Sequence, residues 1–358
     1  MKNIKRLLAL VLIICLCMSF AACHKKNETA VKVGKIEFSS GYYACVLFFT
    51  DGQARSKVSA ELEEKGEDTS DIDYYKQKID GKSYTKWVKE ETLNTIKKIA
   101  AVKLLCEEAK LDVSEAKSQA QTYADYYWDN YGYSAVLTQN GVSKETFTEY
   151  MADADCESIY FDHIFGAEGE KAVSEDALKD YLSKNYALAD MIDVDFTDME
   201  DEEKAQKTEQ LNGYLEELNK GKRSFEEIYY EYGGEEPKEA SETEQAEDAP
   251  MDSIATLIGN SDTPSANDYF DEIYAMKDGE VKIIDKKDDA GKILVLKKDA
   301  LADPYYLKSY DNTLRHAVAD EDFDKIIEDY VKTLKFKENT YATKIFKVKN
   351  IYYPETQQ

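Results

Sequence analysis

Histidine is nearly absent from this chain: 358 residues contain three, His24, His163 and His316. No His-Glu-x-x-His segment, Gly-x-Ser-x-Gly elbow, phosphate-binding glycine loop or dinucleotide fingerprint occurs, so the enzyme classes those motifs define have no residues to stand on. His163, inside Tyr160-Phe161-Asp162-His163-Ile164-Phe165, reads as a partly buried helix residue rather than a ligand, and His316 beside Arg315 reads as surface. Cysteine is also scarce, with six residues and no Cys-x-x-Cys pair or metal-like cluster. Positive charge is in deficit, 46 Lys and Arg against 72 Asp and Glu, a formal net charge of −26. That balance argues against nucleic acid and against lying flat on anionic lipid. No apolar run is long enough to cross a bilayer; the longest, Leu7 to Met18, is too short.

That run has a function of its own. Lys2, Lys5 and Arg6 precede it as a basic segment, and Ala21-Ala22 then lead into Cys23 and the polar His24-Lys25-Lys26. This resembles a bacterial lipoprotein signal, with Phe20 where leucine is usual; an ordinary secretory signal cleaved nearby is the alternative. The resemblance implies removal of residues 1–22 and acylation of Cys23 by palmitate-type chains. The protein would then be anchored on the extracytoplasmic face of the cell membrane without a spanning helix. The mature chain keeps 43 basic and 72 acidic side chains, a formal −29, which suits a body held off the membrane and favouring basic partners. Cys15 and Cys17 leave with the signal, so Cys45, Cys106 and Cys156 remain. An odd number, each within an apolar helical pattern, reads better as buried thiols than as a disulfide framework; a Cys106–Cys156 bridge is possible but unsupported by spacing.

What is abundant is helical periodicity and tyrosine, 27 residues of it. Residues 23–35 form a lipidated tether that runs into the strand-like Val31 to Ile36. The dense apolar block Tyr42 to Phe49 predicts a first helix, and the charged Gly52 to Asp73 a loop or loose helix. Val88, Leu93, Ile96, Ala100, Leu104 and Ala109 trace one face of a helix over Thr85 to Lys110. Further helices are predicted from Ser114 to Tyr131, broken by Gly132, and from a cap at Ser143 to about Phe165. Val173-Ser174-Glu175-Asp176 caps a helix ending near Tyr186. A strand over Met191 to Phe196, a helix over Glu202 to Lys220 and a turn at Gly221 to Ile228 follow. The run 235–250 carries seven carboxylates and one lysine and is expected to be disordered. Tyr269, Ile273, Tyr274 and Met276 recur at helical spacing before the Asp278-Gly279 break. Val281 to Ile284 and Ile293 to Leu296 read as strands around the turn Asp288 to Gly291. Helix is expected again from Pro304 to Leu334, then a strand-like Tyr341 to Tyr353.

The order of these pieces resembles a known family. The helix, Lys-Asp-Gly-Glu-Val turn and two strands over Tyr269 to Lys298 resemble the C-terminal half of a parvulin-type prolyl isomerase domain. Leu93 to Leu111, Val113-Ser114-Glu115 and Leu137 to Ser143 resemble the helical region of SurA/PrsA-type chaperones. The resemblance implies an α+β fold: a helical SurA/PrsA-like domain built from both chain ends, with an inserted parvulin-like α/β domain. Its boundaries would be 36–170 for the N-terminal helical part, 171–300 for the parvulin-like domain, and 301–358 for a C-terminal segment packing back on the first.

The resemblance also says what is missing. Active parvulins carry histidines in the first strand and the final hairpin; here Met191 and Lys292 fall on those positions, and no histidine lies nearby. The barrier to prolyl rotation is about 18–20 kcal/mol, and lowering it needs an apolar pocket with oriented polar groups. No catalytic residue is therefore expected, and at most a peptidyl-prolyl cis-trans isomerase with a divergent site. Tyr269, Tyr274 and Met276, together with Tyr126 and Trp128, are candidate peptide-binding residues. The last two belong to an aromatic group, Tyr123, Tyr126, Tyr127, Trp128, Tyr131 and Tyr133, within eleven positions. Plain core packing is the competing reading for both sets. The implied function is a membrane-anchored chaperone for unfolded secreted polypeptides with no cofactor and no metal. The rivals are an active isomerase and an extracytoplasmic binding or scaffold lipoprotein.

Overall fold

The computed structural model describes residues 28–233 and 250–354. The signal 1–22, Cys23 and the acidic run up to residue 249 lie outside the described residues. Along the chain come β1 Thr29–Val33, β2 Ile36–Ser39, α1 Ser40–Glu64, β3 Lys78–Ile79, β4 Lys82–Ser83 and α2 Tyr84–Glu108. There follow α3 Ser114–Asn130, α4 Tyr133–Gln139, α5 Lys144–Phe165, α6 Glu175–Asn185, β5 Tyr186–Asp195, α7 Asp201–Asn219 and α8 Phe225–Tyr232. After the undescribed run come β6 Thr256–Gly259, α9 Phe270–Tyr274, β7 Val281–Asp285, β8 Gly291–Lys298, α10 Pro304–Ser309, α11 Asp311–Thr333, β9 Phe336–Glu338 and α12 Thr340–Thr343. This is an α+β chain in two compact units, divided between Ile164 and Phe165 and again between Asp320 and Glu321.

The first unit takes residues from both chain ends. Its three-stranded sheet has the order β2-β1-β9, all antiparallel, with Lys32 opposite both Glu37 and Lys337. β1 is therefore the central strand, and Ala30, Val31 and Val33 are buried. The part of the expected tether from Thr29 onward is this strand. Gly34, at φ +58°, makes the turn into β2, a conformation that costs glycine little.

α1 begins at Ser39, whose hydroxyl accepts from the Tyr42 N–H at 3.1 Å. Ser40 to Leu47 are buried all round, as befits a central helix. Beyond residue 52 the helix continues instead of loosening into a loop, because Ala54, Val58 and Leu62 recur every fourth position and stay buried. α2 packs alongside, with Val88, Ile96, Ala100 and Leu104 on its inner face. Residues Tyr341 to Tyr353 form no strand: α12 and a short 3₁₀ turn at Val348–Asn350 replace it. Side-chain anchors hold this segment. Asn339 donates to the Thr29 carbonyl at 3.1 Å, and the Tyr353 hydroxyl donates to Asp51 at 2.9 Å.

Asp51 is fully buried in α1. Its carboxylate accepts from Arg55 Nε at 2.8 Å, the Tyr84 hydroxyl at 2.9 Å and the Tyr353 hydroxyl at 2.9 Å. The Arg55 guanidinium lies 4.6 Å from the Tyr74 ring centre and 4.3 Å from that of Tyr353.

The second unit is a four-stranded antiparallel sheet of order β6-β5-β8-β7. Register sorts its side chains by face. Tyr186, Leu188, Asp190, Ile192 and Val194 alternate onto one face; Ala187, Ala189, Met191, Asp193 and Asp195 lie on the other. α7 and α8 cover Ile192, Val194 and Leu294 with Leu211, Tyr214, Phe225 and Ile228. On the opposite face, α9 places Phe270 and Ile273 against Ala187, Ala189, Ile293 and Val295. Ser174 accepts from Ala177 N–H, the cap expected there, and within the expected turn Ser224 with Glu227 forms a reciprocal capping box that starts α8.

The Asp51 cluster makes a strong prediction. Asp51→Ala removes the charge partner of Arg55 and the carboxylate contacts of two tyrosine hydroxyls, and should cost about 3–5 kcal/mol, whereas Tyr353→Phe should cost about 1–2 kcal/mol. Both tryptophans, Trp87 and Trp128, belong to this unit, so urea unfolding followed by tryptophan fluorescence reads it selectively.

Candidate functional site

In the second unit the two positions expected to replace the isomerase histidines do not meet. Met191 pairs across the ladder with Val295, and Lys292 pairs with Val194. Since one residue of register flips the face, Met191 and Lys292 lie on opposite sides of the sheet. The β8 residues nearest Met191 on its face are Ile293 and Val295, 4% and 0% exposed, with Lys297 further along the strand. Lys292 instead ion-pairs with Asp285 across the β7–β8 edge. The described histidines, His163 on α5 and His316 on α11, are both off this sheet; His316 Nδ1 is 2.7 Å from Asp320. Among the described residues no cluster of His, Cys, Asp and Glu could hold a metal.

Of the three candidate residues around α9, Met276 is buried and Tyr269 half-buried, both packed against the sheet. Tyr274 is 40% exposed, its ring stacked on Phe270 at 5.1 Å. Lys297 donates to the carbonyls of Tyr274 and Met276 at 2.7 Å each, satisfying the end of α9 with a cation. Tyr274 and Lys297 border a cavity of about 300 Å³ floored by Ala187 and Leu188. The helix is thus chiefly a lid on the core, with one tyrosine left at the edge.

Sequence reasoning missed the buried charge on the other face. Asp190, mid-strand in β5, is 1% exposed; Oδ2 accepts from Lys298 Nζ at 2.8 Å, and Oδ1 has no hydrogen-bond partner. Lys298 also pairs with Asp252. Burial pushes the Asp190 carboxyl above its ordinary value against the pull of Lys298. An acid in an unbroken apolar-strand pattern is the signal that would have marked it.

In the first unit the six aromatics divide. α3 buries only Ala116, Ala120 and Ala124, one every fourth residue. Its outer side carries Tyr123 and Tyr126, and Tyr131 follows the helix; they are 51%, 50% and 59% exposed. Tyr126 and Tyr131 share a hydroxyl contact of 3.3 Å and an edge-on ring contact of 5.3 Å, and Tyr127 adds a ring 5.4 Å from Tyr131. Trp128 turns the other way, 6.1 Å from Phe147 in the packed core with Leu137 and Val142. Gly132 at φ +72° ends the helix, and Lys144 bridges Asp125 and Asp129 at 3.0 and 3.2 Å beside the tyrosines. The candidate pair Tyr126 and Trp128 is therefore split between surface and core. What remains is a contiguous tyrosine surface rimmed by carboxylates.

The fold defines an α+β protein whose helical unit is assembled from both chain ends around an intervening sheet unit. No protein-family model and no curated protein matches the chain. Among solved structures it is similar to the foldase protein PrsA of Streptococcus pneumoniae, with 14% identity over 74% of this chain and 90% of that one, TM-score 0.39. It is similar to the PrsA foldase of Lactococcus lactis, with 13% identity over 88% and 97%, TM-score 0.39. PrsA of Bacillus subtilis shows 16% identity over 79% and 94%, TM-score 0.26. All three are PrsA proteins, the family whose pattern the sequence resembles.

Asp190 carries a pH prediction. A carboxyl whose folded pKa is raised favours folding while protonated, so its contribution falls as pH rises from the free-aspartate value to the raised one. The stability difference between Asp190→Asn and the wild-type chain should therefore grow in the variant's favour as pH climbs above about 4. Hydrogen exchange of β5 amides across that range measures it; a flat difference would refute the assignment.

Proposed function

We propose that this chain is a lipid-anchored, extracytoplasmic folding helper that holds exposed apolar segments of unfolded secreted polypeptides, with a parvulin-like unit that does not catalyse prolyl isomerisation. The observation that carries the reading is the uncovered tyrosine surface of Tyr123, Tyr126 and Tyr131. Tyrosines offer broad contact area with a polar rim at small cost in side-chain freedom. Three such rings, at about 0.5–1.5 kcal/mol for each aromatic contact beyond burial, give weak, reversible capture. A holder that must release its client needs that. The surrounding carboxylates and the excess of acid over base favour basic clients.

The absence of turnover is supported by the apolar patch of Met191, Ile293 and Val295, on a face whose polar groups are engaged elsewhere: Asp193 pairs with Lys286, Asp195 accepts from Thr197, and Lys297 donates to the Tyr274 and Met276 carbonyls. Ile293 and Val295 offer no group to hydrogen-bond or polarise a twisting amide, and the buried Asp190–Lys298 pair points to the covered side. Tyr274, at the edge of the α9 cavity, is a secondary contact for a peptide chain. Anchoring through Cys23 rests on the leader pattern alone; no helix of the described residues is long and apolar enough to cross a membrane.

The test uses the chain with an aggregating unfolded client and, separately, a proline-containing peptide. Client aggregation should be suppressed while cis-trans exchange stays at its uncatalysed rate. Tyr123→Ala, Tyr126→Ala and Tyr131→Ala combined should reduce the suppression by roughly half or more while shifting stability little, as expected of surface positions. Accelerated exchange would overturn the inactive-site reading, and suppression indifferent to the tyrosines would overturn the binding surface.

A further inference from the structure

Two of the three buried thiols are neighbours. Cys106 on α2 donates its S–H to the Cys156 carbonyl on α5 at 3.6 Å, and the Cys156 S–H donates to the Ala152 carbonyl a turn earlier at 3.3 Å. One turn earlier on both helices, Lys103 Nζ meets Asp153 at 2.7 Å, and the Tyr42 hydroxyl donates to the same carboxylate at 2.9 Å. Residues 103 and 153 stand three positions before 106 and 156, so the ion pair and the thiol pair are successive rungs in one register. Asp153 is 6% exposed, which makes the lower rung a strong fixture that brings the upper one together. Cys45 is excluded from the pair, buried in a different cluster with Leu137, Val142 and Phe147.

We propose that Cys106 and Cys156 form a disulfide, closed by an external disulfide oxidant, that staples α2 to α5 within the first unit. The pair is only a helix thickness from solvent: Ala154, Glu157 and Ser158 beside Cys156 are exposed, as are Glu107 and Glu108 after Cys106. Local opening of that turn admits the oxidant. Cys156, with exposed Ala154, Glu157 and Ser158 around it, is the first nucleophile once deprotonated. Its thiolate attacks one sulfur of the oxidant, forming a mixed disulfide and expelling a thiolate. Cys106, once deprotonated, attacks the Cys156 sulfur and expels the second thiolate. Two protein thiols lose two electrons, the oxidant's S–S bond becomes two thiols, and the two protons leave on them. The closed loop would join cysteines fifty positions apart, tying down α3 and its tyrosines at both flanks. The proposal stands whether or not the chain assists folding.

The test incubates the reduced, folded full chain with glutathione disulfide at mildly alkaline pH, then quenches with acid, alkylates and maps peptides. The expected result is a loss of about 2 Da in one linked peptide pair containing Cys106 and Cys156, with Cys45 recovered alkylated. The fluorescence-monitored melting midpoint of the first unit should rise by about 5–10 °C over the reduced chain. That rise should vanish in Cys106→Ser and in Cys156→Ala. The wild-type comparison of oxidised with reduced chain needs neither variant to fold. A link through Cys45, stable glutathione adducts without a link, both thiols recovered alkylated, or a link that appears only after urea unfolding would each overturn the proposal.

Discussion

The buried Asp51 carboxylate is the constraint around which the first unit is arranged. A carboxylate with no exposure must have its charge matched and its lone pairs filled, or it costs several kcal/mol. Here the matching groups come from four separate parts of the chain: Arg55 a turn later on α1, Tyr84 at the start of α2, Tyr74 behind the guanidinium, and Tyr353 near the end. Only one relative placement of those segments satisfies the acid. A purely apolar contact would tolerate sliding; this one does not, so it sets the register of α1 against α2 and fixes where the C-terminal segment docks. Buried charges of this kind contribute specificity more surely than net stability.

The two units use polarity in opposite ways. In the sheet unit, alternation puts nearly every apolar side chain under a helix, and α7, α8 and α9 leave little uncovered. In the helical unit, α3 rests on three alanines and turns its tyrosines outward. Small buried residues bring little apolar area out of water, so α3 is held less firmly than α1 or α2. A surface meant to accept varied polypeptides benefits from such a loosely seated, aromatic-faced helix, whereas a catalytic pocket would need rigidly aimed polar groups.

Much of the fold was legible because its signals are local. Ser174 and Gly132 mark helix ends through bonds or backbone angles within a few residues of themselves. The apolar stripe of α2 needed no knowledge of its partner. The errors came where distant groups decide. The stretch from Gly52 onward looked like a loop or loose helix because its charges hide a four-residue apolar repeat, and Asp51 makes sense only beside Tyr84 and Tyr353. Tyr341 to Tyr353 has strand-forming residues, yet Asn339 and Tyr353 hold it by side-chain bonds to β1 and α1. For the candidate site, residue type was readable but register was not. A single-residue offset separated Lys292 from the face of Met191, and nothing in a sequence fixes a ladder to that precision. Tyr126 and Trp128, two positions apart, could not be sorted into surface and core without the helix they sit on.

The pairing of β1 with β9 has a consequence for the chain's biogenesis. The strand β1 completes its sheet with one that begins at Phe336, so the helical unit cannot close until the chain through Glu338 has emerged. The sheet unit, continuous in sequence, can fold while the flanks wait. Once it has folded, it shortens the effective span the two ends must close, lowering the entropy lost in bringing them together. A chain truncated anywhere before residue 336 would lack an edge of the first sheet and leave β1 half-paired, an exposed template for proteolysis or aggregation. The architecture thus makes the burial of β1 conditional on a strand some three hundred positions later.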